Sequence, residues 1–507
     1  MRNTLFKIYK YIIDKITLIF LLFLSVLSFI FTAYMNQNAS EITLFSVNII
    51  QNLFFCFIFC VLFYLYQLFM NKINEQKFFK FSLLIIFIGL LLLNISLNPI
   101  LRGDGFMIYQ NSTELLSNNM ESLLHGGYLY MFPNQLGLVI LVELLLKVFG
   151  NGAIQSFRLL NCIATILILF SLHEFIKIYF KEEKYLKIFD IIMYFCLPLF
   201  YYTTFFYGNV LAIMFCLLSL LFQLYSFNST GKKRILFVLL TGISIALGIF
   251  IKSNSLITLV ALILQYIFNH EYKGKIVSIF IVLICCLISK SFINFYVQNQ
   301  YQAEVSKGVP MTSFLAMGLQ ESYRAPGWFN GYNYEVFIKN SYDRDKTMVA
   351  DLKSINKSIN KFISDPIYAL KFFGKKTVSQ WNNPSFQCFW IQGEHNGQYN
   401  VNYISTHLLH EGGKLRNIQE YTLDAFEFLI YFCALITWIT FKKEDTSFYS
   451  LGLVFVGGFI FHLFWEAKCQ YTLQYFIGLI PYSVYGVNYV MEFVNNHIQK
   501  FKKQKFI

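Results

Sequence analysis

The stretch Asn134–Phe149, NQLGLVILVELLLKVF, is apolar almost throughout but carries Glu143 and Lys147 four positions apart. Crossing a hydrocarbon core takes about 20 apolar residues, and side chains at i and i+4 share one face of a helix. Sixteen residues with one polar stripe therefore read as a helix lying at the membrane interface. That reading sets the topology of everything after it. Apolar runs occur at 16–35, 45–70, 80–98, 134–149, 153–178, 186–207, 209–227, 235–251, 254–269, 275–296, 423–441, 447–465 and 471–491. If all thirteen crossed, the lysine-rich KIYFKEEKYLK (177–187) would lie outside, and every later loop would break the positive-inside rule. With 134–149 on the outer surface, that loop, GKKR (231–234), EYKGK (271–275), KKED (442–445) and the tail KFKKQKFI all fall inside. The cytoplasmic segments then hold 22 Lys and Arg, and the short external loops hold three: Arg102, Lys252 and Lys468.

The chain expected from this is a polytopic α-helical membrane protein with about twelve transmembrane helices and both termini in the cytoplasm. Its composition agrees: of 507 residues, 56% are hydrophobic and only 14% charged, with a mean hydropathy of +0.52. The net charge of +13 is scattered over short loops, so it reports topology and not a nucleic-acid surface. Eight of the ten cysteines sit inside apolar runs as small packing residues. Cys388 and Cys469 lie outside those runs, where a disulfide is open. The start, MRNTLFKIYKYIIDK, reads as a cytoplasmic leader to a retained helix and not as a cleaved signal.

The chain divides into a membrane domain over 1–296 with a first external loop at 99–152, an extracytoplasmic loop domain at 297–422, and C-terminal spans with a basic tail at 423–507. The first loop contains the amphipathic FMIYQNSTELLSNNMESLL, then YLYMFPNQ and the interfacial helix. The second has turn signals in RAPGWFNGYN (324–333) and a mixed-charge segment at 340–366 that reads as a surface helix.

Ionisable residues near the outer face come from distant parts of the chain. Asp104 ends the third span beside Arg102; Arg158 lies one turn into the fourth, with Asn161 on its face; Lys252 ends the seventh; Glu466 and Lys468 lie between the last two. Cations at headgroup level can hold a lipid phosphate as charge builds on it, and a carboxylate can take a proton from an acceptor hydroxyl. Asp104 is the candidate base. Each residue also has a plainer reading: Asp104 as a solvated helix end, Arg158 snorkelling to the headgroups, Lys252 an ordinary anchor, Glu466 with Lys468 a surface pair. Tyr471 and its aromatic neighbours read equally as an interfacial belt. Glu394 and His395 read as loop residues, two ligands being too few for a metal.

These residues resemble the GT-C superfamily of membrane glycosyltransferases, in the family 39-like branch of protein O-mannosyltransferases and aminoarabinose transferases. The resemblance rests on Asp104 after an early span, on YLYMFPNQLGLVILVELLLKVFG as a juxtamembrane helix pair, on SFRLLN with Arg158, and on Lys252. MGLQESYRAPGWFNGYN, KKTVSQWNNPSF (375–386) and FWEAKCQYTLQYFIGLIPY look like low-GC bacterial members. It implies a polyprenyl-phosphate sugar donor, inverting transfer outside the cytoplasm, and a glycan or lipid acceptor in the cell envelope. It further implies Asp104 as the catalytic carboxylate and Arg158, Lys252, Arg102 and Lys468 on the donor phosphate. Glu466, Tyr128, Asn134, Gln135, Tyr471, Trp328, Asn330 and Trp381 would support the site or meet the acceptor. A donor synthase and a flippase are the partners such chemistry calls for. Gly105 stands where an acidic neighbour is common, and YMFPNQ replaces a His-Pro-Pro motif. No cofactor is specified, although a divalent cation is compatible with the reaction.

Two other readings compete. A polymerase or ligase of lipid-linked glycans has a similar outline and draws on arginines of the large loop, here Arg324, Arg344 and Arg416. A transporter or flippase would place charges near the bilayer midplane, where His173, Glu174 and His462 are the nearest examples.

Overall fold

The computed structural model describes residues 2–36, 41–70, 73–269, 272–393, 403–410, 413–443 and 445–505. Helix α1 (Arg2–Ile30) takes in the basic leader as well as the first apolar run, and α2 (Ile49–Met70) and α3 (Glu75–Leu97) follow. Between α1 and α2 the chain forms an antiparallel hairpin, β1 (Phe31–Met35) and β2 (Thr43–Val47), paired from Phe31↔Val47 to Met35↔Thr43. The sequence suggests a plain connection there. The hairpin is anchored from outside, since Ala33 N donates to Asn382 O at 2.7 Å and Thr43 N to Arg324 O at 3.1 Å. Those bonds satisfy backbone groups that an exposed strand edge would leave open.

After α3 come two short helices, α4 (Asp104–Leu116) and α5 (Tyr128–Met131), and then α6 (Leu136–Phe149). α6 packs on α4 and on α7 (Ala153–Phe180), with Gly150 at φ +52° turning the chain between α6 and α7. Its polar stripe is split, with Glu143 turned into protein and Lys147 exposed. Glu143 is fully buried and accepts from Tyr296 OH at 2.7 Å, while Leu144, Val148 and Phe149 are more than half exposed. The outward face of the helix thus carries Lys147 among apolar side chains, and Glu143 faces protein.

The run at 186–207 is broken into α8 (Glu183–Ile192) and α9 (Leu197–Tyr201), with a 52° bend that coincides with Pro198. Then follow α10 (Asn209–Phe227), α11 (Gly231–Ile251), the short α12 (Leu256–Phe268) and α13 (Lys275–Tyr301). Gly137 of α6 lets this layer close: a Cβ there would lie 1.9 Å from the carbonyl oxygen of Phe250 in α11.

The segment after α13 holds α14 (Met311–Gly318), α15 (Tyr332–Lys339), α16 (Arg344–Ser364), α17 (Pro366–Trp381), α18 (Cys388–Ile391) and α19 (Tyr403–Leu408). α16 is the expected surface helix, started by Asp343, whose side chain accepts from the backbone N of Asp345 and Lys346. The chain closes with α20 (Lys414–Thr440), α21 (Tyr449–Phe464) and α22 (Leu473–Lys505). Among the described residues, nine helical stretches are long and apolar enough to cross a bilayer, or ten if the bent pair is one crossing. α12 is a shorter apolar helix, and α22 carries the last apolar run of the sequence. All ten cysteines are free, Cys388 and Cys469 included.

Candidate active site

The site grows from a glycine turn. Gly103 has φ +55° and ψ −138°, a conformation open to glycine, and a Cβ there would stand 3.3 Å from the Trp390 ring. This turn starts α4 on Asp104, half-buried in the first turn, where unpaired backbone N–H groups favour a carboxylate. Gly105 explains its own identity. A Cβ at that position would lie 2.5 Å from the carbonyl oxygen of Phe206, so α4 fits against the Tyr202–Thr204 turn and its continuation only if residue 105 has no side chain. An acidic residue beside Asp104 has no room.

Around Asp104 the structure gathers groups from loops at the ends of four other elements. Lys252, just past α11, lies over the rings of Tyr207 (4.9 Å) and Tyr471 (5.4 Å) and donates to Asn209 Oδ1. Burial pushes its ammonium down to about 7, with Asp104 opposing that fall and Lys468 adding to it. Lys468 pairs with Glu41 Oε1 at 3.2 Å and stands 5.8 Å from the Trp390 ring. Burial works against its charge, but Glu41, Asp104 and Glu466 outweigh burial and hold its pKa above the ordinary lysine value. Glu466 is buried, and burial lifts its carboxyl to about 7 despite Lys468. Tyr128 feels the charge of Asp104 as well, its hydroxyl pushed far up by burial and then by that carboxylate. Gln135 donates to Tyr207 OH at 2.8 Å and so joins the same wall.

Other expected site residues have different employment. Arg158 is 3% exposed and is not brought into this cluster. Its guanidinium donates to Asn98 Oδ1, to Pro99 O at 2.6 Å and to Thr204 O at 3.1 Å, tying the end of α3 to α7 and to the 202–204 turn. Arg102 is buried with its guanidinium 3.7 Å over Trp390, donating to that residue's carbonyl. Trp328 is fully buried with Nε1 donating to Ser379 Oγ at 2.7 Å, and Trp381 packs among Phe455, Phe459 and Tyr475. These two tryptophans are core and offer no free face to a sugar. Asn330 caps the turn before α15, donating to Gln320 and accepting from Tyr332 N, and Asn134 is exposed in a short 3-10 turn. Glu394 and His395 lie outside the described residues. Among the described residues no three His, Cys, Asp or Glu side chains converge on a metal position.

Glu41 is the largest addition to the sequence reading. It is 4% exposed in the β1–β2 turn, pairs with Arg324 as well as Lys468, and accepts from Gln387 Nε2 at 2.8 Å. Burial alone would raise its pKa; the two cations outweigh it and hold the carboxyl below its usual range. The signal was present, because Glu41 is the one charged residue in the external stretch MNQNASEIT (35–43). Lys376 closes the far side. It is fully buried, donates to Gly318 O at 2.5 Å and Trp465 O at 2.8 Å, and so fixes the strand of chain that presents Glu466 and Lys468. The loop arginines are each held by protein: Arg324 by Glu41, Arg344 by the carbonyls of Lys307 and Gly308, Arg416 by Glu420 and Leu409 O. His173, in the lower half of α7, is paired with Glu75 at 2.8 Å.

A carboxylate facing two lysines, walled by tyrosines at the ends of membrane helices, suits transfer of a group from a lipid phosphate. Comparison with known proteins agrees. Residues 136–294 match a family model described as dolichyl-phosphate-mannose-protein mannosyltransferase, a stretch that runs from the start of α6 into α13 and includes Lys252. No curated protein and no solved structure matches the chain. The match covers about a third of the chain and falls within the GT-C superfamily of membrane glycosyltransferases; together with the apolar helices it supports a multi-pass membrane glycosyltransferase of the GT-C type.

Proposed function

We propose that the protein moves a sugar from a polyprenyl-phosphate donor to a hydroxyl of a cell-envelope glycopolymer or lipid, on the extracytoplasmic face and with inversion at the anomeric carbon. The observation that carries this is the meeting of Asp104 with Lys252 and Lys468 at one membrane-level cluster. The acceptor oxygen bonds to the anomeric carbon from one side while the bond to the phosphate oxygen breaks on the other. The acceptor proton passes to the Asp104 carboxylate, and the phosphate leaves with its lipid. Lys252 and Lys468 neutralise the charge gathering on that phosphate, which in a partly dehydrated site is worth more than in water. Arg158 and Arg102 serve as braces here, with their guanidinium groups already engaged. Tyr128, Tyr207 and Tyr471 supply the aromatic wall on which a sugar ring can rest.

The polymerase alternative draws on loop arginines, and here all three are engaged by protein acceptors, so the transferase reading is the better supported. The test is mass spectrometry of envelope glycans in a deletion strain complemented with wild type or Asp104→Asn at equal membrane abundance. Loss of one sugar substituent in the deletion, restored by wild type and not by Asp104→Asn, is expected. Full restoration by Asp104→Asn would remove Asp104 as the base, and an unchanged glycan profile in the deletion would remove the transferase reading.

A further inference from the structure

Outside the site, the helical pair α16 and α17 carries an apolar stripe with no protein over it. On α16, Val349, Leu352, Ile359 and Ile363 are 55%, 53%, 42% and 73% exposed, while the opposite face buries Thr347, Asp351 and Ile355 against α14. The stripe continues past the Asp365–Pro366 turn to Ile367 (68%) and Leu370 (76%). An extramembrane domain in water gains nothing by presenting a row of branched aliphatic side chains, and a row of this length marks an interaction surface.

Its end shows what lies against it. Leu370 is one turn before Phe373, whose ring meets that of Phe464 at 6.3 Å. Phe464 ends the membrane helix α21, and with Ile460 it is among that helix's exposed, lipid-facing residues. The stripe is therefore continuous with the bilayer-facing surface. Its charge fits the same neighbour: residues 344–375 hold seven basic and three acidic residues, and Lys357, Lys361, Lys371 and Lys375 are all exposed. An apolar stripe edged by lysines is the pattern of a helix lying in a headgroup layer, with aliphatic groups in the acyl boundary and ammonium groups reaching up to lipid phosphates.

We infer that the α16–α17 pair is an interfacial anchor that lays Ile359, Ile363, Ile367 and Leu370 into the leaflet beside α21, its lysines on anionic headgroups. This anchor steadies α17, the helix whose Lys376 holds the Glu466–Lys468 strand, and so links the lipid surface to the site wall. The inference is independent of which sugar or acceptor the enzyme uses, and of the reaction itself.

The test uses the full chain in phosphatidylethanolamine–phosphatidylglycerol vesicles with a coumarin amino acid in place of Ile367 or, separately, of Lys353. Lipid-borne nitroxide quenches position 367 at least about twofold more than position 353, and aqueous iodide shows the reverse order. A second reporter in place of Leu370 follows position 367, which guards against a local disturbance at one site. Iodide quenching of 367 and 370 as strong as that of 353, or shielding of both from iodide with no quenching by the lipid nitroxide, overturns the inference: the stripe then lies in water or against protein.

Discussion

Asp104 and Gly105 form one unit at the scale of single residues. The carboxylate needs the first turn of α4, and α4 needs a residue without a side chain at 105 to sit on the carbonyl of Phe206. Asp104→Asn should therefore lower kcat by about 10²- to 10⁴-fold, the usual span for losing a general base, with the melting temperature unchanged. Gly105→Ala should fail differently, through overpacking of about 1–3 kcal/mol, seen as a lowered melting temperature in detergent. Lys252 gives a pH signature. A lysine is charged below its pKa, and burial brings this one to about 7, so the KM for the lipid donor should rise as pH climbs from about 7 towards 8.5. Lys252→Arg should flatten that rise, because a guanidinium keeps its charge throughout the range. Arg158→Lys separates a brace from a phosphate ligand. With Asn98, Pro99 and Thr204 losing donors, thermal stability should fall while the donor KM stays within about twofold. A large rise in KM at unchanged stability would restore Arg158 to the donor.

Among the elements, the β1–β2 hairpin is the one that sequence periodicity hid. Its strands took the last residues of one apolar run and the first of the next, so Phe31–Met35 and Thr43–Val47 read as span ends and the residues between as a tether. Alternation over five residues is too short to stand out against two hydrophobic helices. α6 was legible as an odd helix, but the burial of Glu143 was not, because Tyr296, which pairs with it, lies 153 positions away. Arg158 illustrates the same limit. Charge at a span end was visible, whereas the three acceptors that absorb it come from α3 and the 202–204 turn. The hairpin yields its own prediction. Glu41 helps raise the Lys468 pKa, so in a Lys252→Arg background, where position 252 no longer titrates, Glu41→Gln should move the basic limb of kcat/KM to lower pH. An unmoved limb would mean that Lys468 holds its charge through Asp104 and Glu466 alone.

At the scale of the molecule, apolar run length found the helical membrane architecture, since it is a local property that survives without any knowledge of packing. The cluster around Asp104 was half legible: Lys252, Glu466 and Lys468 announced themselves as charges at span ends, while Tyr207, Asn209 and Trp390 are ordinary membrane-protein residues until folding brings them together. Asp14 of α1 bonds Lys443 at 2.9 Å across 429 positions, and Glu41 waits for Lys468. Ribosomes deliver α1 and the hairpin first, so during synthesis Glu41 meets Arg324 before it can meet Lys468, and Asp14 waits for Lys443. The Glu41–Lys468 pair is thus a late contact, made after the hairpin is already held by Arg324 and Asn382. Chains stopped before α14 should leave the hairpin open to protease, with protection appearing once Arg324 and Asn382 have emerged.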